Sequence, residues 1–170
     1  MNLVYRKARS FVLLASGLSA IVFNNTIEGY SAMFGISLIV SALITLLFLF
    51  VYFDKPLNDK VLMEMMLDGF SGIIIFTYNQ SNDSFFLTVF SFWIFINGLF
   101  YLTSGIIDKS NKKYLPLYTI VGIILLVFGF MPLHMNEESH DIIIYLIGFA
   151  IIAYSSSNLY LLFRKKSEVY

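Results

Sequence analysis

The sequence predicts an all-α integral membrane protein, a bundle of six transmembrane helices built as three tandem helical hairpins. Three observations carry this expectation. Of 170 residues, 58% are hydrophobic and only 13% charged, with a mean hydropathy of +0.79. That is too little charge to cover a soluble surface of this size. Apolar stretches of the length needed to cross a hydrocarbon core of about 30 Å, roughly 20 residues, recur along the chain. The charges that remain are sorted into alternate connections between those stretches.

The segments run approximately over 10–27, 30–53, 65–81, 85–107, 114–133 and 142–163. Their apolarity is continuous and lacks the alternation of barrel strands, so they read as helices. Pro116 falls in the first turn of the fifth, where its missing N–H costs nothing. Pro132 falls at the far end of that segment and Pro56 in a loop. The first segment follows "RKAR" and lacks a small-x-small cleavage site, so it reads as an uncleaved span rather than a signal peptide.

Basic residues orient the bundle. Arg6, Lys7 and Arg9 are read as preceding the first helix, and Lys55 and Lys60 as lying between the second and third. Lys109, Lys112 and Lys113 fall between the fourth and fifth, and Arg164, Lys165 and Lys166 follow the sixth. All eleven therefore lie on one side. By the positive-inside rule that side is cytoplasmic, with both termini inside, as in a bacterial inner-membrane protein. The outer connections carry acids and histidines: Glu28, Asp83, His134, Glu137, Glu138, His140 and Asp141. Tyr30, Tyr52, Tyr78, Tyr114 and Tyr145 fall near segment ends, as interfacial anchors do.

Taken in pairs, the segments repeat over 10–53, 61–107 and 114–163 within a single membrane domain, 1–170. The odd ones align as "GLSAIVF" from Gly17, "GFSGIII" from Gly69 and "GIILLVF" from Gly122. The even ones align as "GISLIVSA" from Gly35, "SFWIFING" from Ser91 and "GFAIIAYS" from Gly148. In each even helix a second small residue follows on the same face: Ala42, Gly98 and Ser155. Small residues on one face let helix backbones approach closely in lipid.

Three tandem hairpins, a glycine in the first helix of each and a "GISLIVSA"-type motif in the second resemble the HdeD-type acid-resistance membrane proteins, across roughly 10–163. That family often closes the first helix of a repeat with proline. Here only Pro132 fits, and "NNT" at 24–26 and "YNQ" at 78–80 stand at the other turns. The resemblance implies a role in acid or general stress tolerance and supplies no catalytic residues.

The residues themselves offer two candidate sites. Asp68 lies about 10 Å along its helix from the cytoplasmic end, where a lone acid costs up to about 2.5–3.5 kcal/mol. Ser104, Asn158 and Ser157 lie at similar depth, and Ser16 occupies the position of Asp68 in the first repeat. Together they form a candidate intramembrane polar layer. The acid reads first as a hydrogen-bonded group that orients helices. Were it buried and unpaired, burial would favour its neutral form and make it proton-responsive. Glu64, four residues after Lys60, reads as an interfacial ion-pair partner.

The second candidate is the outer stretch "HMNEESHD", with His134, Glu137, Glu138 and His140 as a pH-responsive loop, since imidazole changes charge near neutral pH. Its spacing fits no metal motif, so no metal is expected. Asn97 and Asn158 read as hydrogen bonds across helices, and the Ser37, Ser41, Thr45 series as a close helix contact. "GFSG" at 69–72 resembles the serine motif of rhomboid proteases, but Ser71 lies in the cytoplasmic half and both histidines at the outer end, so a protease is excluded. No glycine loop or nucleotide, haem or flavin signature points to a cofactor. Net charge is zero, which gives no attraction for nucleic acid, and there is no cysteine. The expected partners are membrane lipid and a second copy or another membrane protein. The expectation is a non-enzymatic protein, with a small transporter holding a pocket between repeats as the alternative.

Overall fold

The computed structural model describes residues 3–23, 27–51, 59–78, 83–107, 112–134 and 140–165. It has six α-helices, α1 (Leu3–Phe23), α2 (Ile27–Val51), α3 (Asp59–Tyr78), α4 (Asp83–Ile107), α5 (Leu115–Phe130) and α6 (His140–Lys165), and no strand among the described residues. Short 3₁₀ turns at Lys112–Tyr114 and Met131–His134 flank α5. Pro116 stands in the first turn of α5, and Pro132 is buried in the 3₁₀ turn that ends it. Both positions suit a residue without an N–H.

Two helices begin earlier than expected. α1 takes in Arg6, Lys7 and Arg9, and α3 takes in Lys60, so these residues belong to helices and not to flanking loops. Lys and Arg are good helix formers, and each of the four has a partner that holds it. Lys7 lies 4.2 Å from the Phe163 ring centroid, and the other three converge on Glu64.

Each helix packs on its neighbours in sequence, and α6 closes against α1. The joints are unequal. α1 packs closely on α6, α2 on α3 and α4 on α5, whereas α3 meets α4 only sparsely. Glycine explains the close joints. A Cβ built on Gly17 would stand 3.1 Å from the Gly148 carbonyl oxygen, and one on Gly148 3.0 Å from that of Gly17. The reciprocal distances are 3.3 and 2.9 Å for Gly35 and Gly72, and 3.1 and 3.2 Å for Gly98 and Gly122. At these distances an added Cβ would crowd the facing backbone, most severely at Gly72. The close glycine contacts are thus those of α1 with α6, α2 with α3 and α4 with α5, not those between the two helices of each expected hairpin, and in α3 and α4 they fall at Gly72 and Gly98 rather than at the aligned Gly69 and Ser91.

The interior is aromatic. Phe34 lies 6.1 Å from Tyr30, 5.6 Å from Phe90 and 5.4 Å from Trp93; Trp93 is 5.5 Å from Tyr154, Tyr154 5.9 Å from Tyr101, and Tyr101 5.9 Å from Tyr118. Rings at these separations are in favourable contact. They link α2, α4, α5 and α6 in one continuous core. Tyr30, expected at an interface, is part of this core: it is fully buried, its hydroxyl 3.3 Å from the Ser16 carbonyl oxygen. Tyr78 and Tyr145 are exposed, Tyr114 is partly buried against the core, and Tyr52 lies outside the described residues.

The outside is as apolar as the inside. Ile36, Val40, Leu43, Leu47 and Phe50 form an exposed stripe on α2, while Ser31, Ser41 and Thr45 of the same helix are buried. In water such a surface would aggregate; against acyl chains it is the stable arrangement. Helices α2 to α6 are long and apolar enough to cross a membrane.

Candidate functional site

Asp68 is fully buried and completely bonded. Its Oδ2 accepts from Arg9 Nε at 2.7 Å and Ser41 Oγ at 2.8 Å, and its Oδ1 accepts from Trp93 Nε1 at 2.9 Å and Arg9 Nη2 at 3.1 Å. The two bonds from Arg9 form the bidentate fork that suits guanidinium to carboxylate. Arg9 Nη1 donates to the Tyr154 hydroxyl at 2.9 Å and to Glu64 Oε2 at 3.3 Å. Arg9 comes from α1, Ser41 from α2, Asp68 and Glu64 from α3, Trp93 from α4 and Tyr154 from α6, so five helices meet at one ion pair.

Glu64, one turn toward the N-terminal end of α3, gathers further cations. Its carboxylate lies 3.8 Å from Arg6 Nη2 and 3.9 Å from Lys60 Nζ, in addition to Arg9. The Lys60 to Glu64 pair is the one the i, i+4 spacing predicts, and Glu64 is buried and shared with Arg6 and Arg9. Lys60 Nζ also donates to Ser104 Oγ at 2.7 Å, joining α3 to α4 at their shared end.

Desolvation decides what these bonds are worth. Either charge left alone at membrane depth costs about 2.5–3.5 kcal/mol. Pairing offsets that cost, and each further donor satisfies a lone pair that water would otherwise hold. With two donors on each oxygen, Asp68 is occupied as a structural acceptor.

The predicted polar layer is thereby redrawn. Asp68 is buried but paired, as the reading of it as a hydrogen-bonded, helix-orienting group expects. Ser104 reaches it only through Lys60, Glu64 and Arg9. Asn158 Oδ1 accepts from the Tyr101 hydroxyl at 2.9 Å, an interhelical bond as expected, beside the network rather than in it. Ser16 bonds instead toward Tyr30. Asn97 Nδ2 donates to the Trp93 carbonyl within α4, so it does not cross helices, and its Oδ1 has no partner among the described residues. His134 is exposed, with Nδ1 3.0 Å from the Phe130 carbonyl oxygen. Glu137, Glu138 and the side chain of His140 lie outside the described residues. Among the described residues no cluster of three His, Cys, Asp or Glu could hold a metal ion.

Sequence reasoning found Asp68 and missed Arg9, which it counted as a cytoplasmic flank. The signal was present: an acid at depth needs a counter-charge, and Arg9 directly abuts the first apolar segment. Ser41 was visible as a small polar residue on α2, but not as a donor to Asp68. Trp93 and Tyr154 carried no signal beyond aromatic content.

Comparison with known proteins finds no matching family model, no matching curated protein and no matching solved structure.

Proposed function

We propose that this is a non-enzymatic bacterial inner-membrane protein that contributes to acid or general stress tolerance, the role its resemblance to HdeD-type proteins implies. In this reading all six helices span the bilayer as three tandem hairpins with both termini cytoplasmic. One close glycine contact on each odd helix supports a triplicated origin, with the contact displaced in α3 and α4 to Gly72 and Gly98 from the aligned Gly69 and Ser91. The basic residues of α1 do not prevent it from spanning, because Arg9 is paired inside the bundle.

The observation that carries the non-enzymatic reading is the saturation of Asp68. A reacting or ligand-binding acid must offer a bond to something else, and here both oxygens are committed to holding helices together. A transporter with a pocket between the repeats is the second reading; the cleft of about 520 Å³ lies instead within the second hairpin, between α3 and α4. Its walls are almost wholly apolar, which suits a hydrocarbon better than a polar solute.

Deletion of the gene in its host, followed by acid challenge, tests the role. Survival is expected to fall and to be restored by the wild-type gene. It should also be restored by the doubly substituted Arg9→Met/Asp68→Leu protein, which keeps the packing without the charges. Unchanged survival on deletion overturns the tolerance role. Failure of a stably folded double variant to restore survival overturns the claim that the pair is structural.

A further inference from the structure

α1 differs from the other five helices in what it offers a membrane. Helices α2 to α6 are each long and apolar enough to cross a bilayer, and α1 as described is not among them. Its first turns carry Arg6, Lys7 and Arg9, and its uncharged part runs only from Ser10 to Phe23. That part covers about 21 Å at about 1.5 Å per residue, against about 30 Å of hydrocarbon. A spanning α1 whose C-terminal end reaches one surface therefore carries Arg9 about 9 Å inside the other. Asp68 lies about 10 Å along α3 from Val61, the first apolar residue of that helix. Two separate helix lengths thus place the guanidinium and its carboxylate at one depth.

The seat that receives α1 is built by later parts of the chain. Arg9 is buried, forked on Asp68 of α3 and bonded to Glu64 of α3 and Tyr154 of α6. Further along, Gly17 meets Gly148 of α6 backbone to backbone, and Leu13 and Ala20 are fully buried. Without an acid beside it, an arginine at that depth is costly, and its long side chain is drawn back toward the surface. A basic helix with an apolar face is stable along the interface.

We propose that α1 is a strap latched by charge: Asp68 and Glu64 hold Arg9, and through it the helix, about one turn deeper than α1 rests by itself. The proposal goes beyond the tolerance role and rests on the six-span reading. α1 is the first helix made and, because α3 and α6 build its seat, the last to be seated. The latch is one-sided. Removing the acids leaves a charge that pulls α1 toward the headgroups, whereas removing the arginine as well leaves α1 apolar enough to stay. Glycine packing makes no such distinction, since it is the same in either variant.

The depth of a nitroxide label tests this in the full chain, reconstituted in phosphatidylcholine vesicles. The chain has no cysteine, so Phe11→Cys on α1 and Tyr160→Cys on α6, 52% and 49% exposed, are labelled one at a time. Collision with oxygen, which gathers in hydrocarbon, is compared with collision with a water-soluble nickel chelate. Asp68→Asn/Glu64→Gln is expected to move the α1 label about 5 Å toward the surface, one helical turn, with the arginine's own reach covering the rest. The α6 label stays. Adding Arg9→Met returns the α1 label to its original depth. Asp68→Asn alone, which leaves Glu64 on Arg9, moves it less and in the same direction.

An α1 label that keeps its depth when both acids are replaced overturns the latch. So does movement of both labels together, or a displaced α1 that Arg9→Met fails to return; either would make the pair a general brace. With both acids present, an α1 label open to the nickel chelate and closed to oxygen overturns the six-span reading instead.

Discussion

At the scale of single residues, the unusual feature is a fully buried carboxylate that accepts four hydrogen bonds. Hydrogen bonds to a charged group contribute about 1.5–3 kcal/mol each. Trp93→Phe and Ser41→Ala are therefore each expected to destabilise the protein by that amount, read as a lowered thermal midpoint in detergent. Ser156→Ala, which removes a bond within α6 on the exposed face, should change stability by less than about 0.5 kcal/mol. Asp68 stood out in the sequence because composition makes an acid rare at that depth. Its partners did not, because hydrogen-bond partnership across α1, α2 and α4 depends on the rotation of each helix about its axis. Periodicity sets that rotation only when one face is polar. α2 is apolar nearly all round, with Ser37, Ser41 and Thr45 as the only hint of an inner face.

At the scale of helices, close approach is carried by glycines whose roles differ sharply. A Cβ on Gly72 would meet the Gly35 carbonyl oxygen and the Ile39 amide nitrogen at 2.9 Å, both backbone atoms that cannot turn aside. A Cβ on Gly69 would meet only the Ala42 Cβ at 3.5 Å, an ordinary contact. Gly72→Ala should thus cost about 1–3 kcal/mol as α2 and α3 are forced apart. Gly69→Ala should be neutral or stabilising by up to about 1 kcal/mol, from helix propensity alone. Thermal unfolding of the two variants side by side checks the contrast. The glycine rows were readable in the sequence, as was the existence of each apolar helix. Which neighbour each row faces was not, because spacing marks a face without naming its partner. The early starts of α1 and α3 were hidden for a different reason: charged residues end an apolar run but not a helix, and here buried pairing carries the helix through them.

For the whole molecule, the sorting of basic residues makes a direct topological prediction. The chain has no cysteine, so single introduced thiols report cleanly. Lys113 and His134, both exposed, stand at opposite ends of α5. In intact cells a membrane-impermeant maleimide should label His134→Cys, and Lys113→Cys only after the membrane is permeabilised. The opposite pattern would invert the bundle. The fold itself depends on an interior of aromatic rings crossed by one charged knot, in which Arg9 and Asp68 act as a pair. Asp68→Leu alone or Arg9→Met alone removes one partner of a buried ion pair, at a cost of about 3–5 kcal/mol. Replacing both removes the two charges together, so the loss falls short of the sum of the single losses, with the Ser41 and Trp93 donors left without their acceptor. A double-mutant cycle on these two positions, measured by reversible unfolding in lipid or detergent, tests this account most directly. A double variant whose loss falls well short of the sum of the two single losses is the predicted result. Additive losses would contradict it, and would mean that Arg9 and Asp68 hold the bundle through partners other than each other.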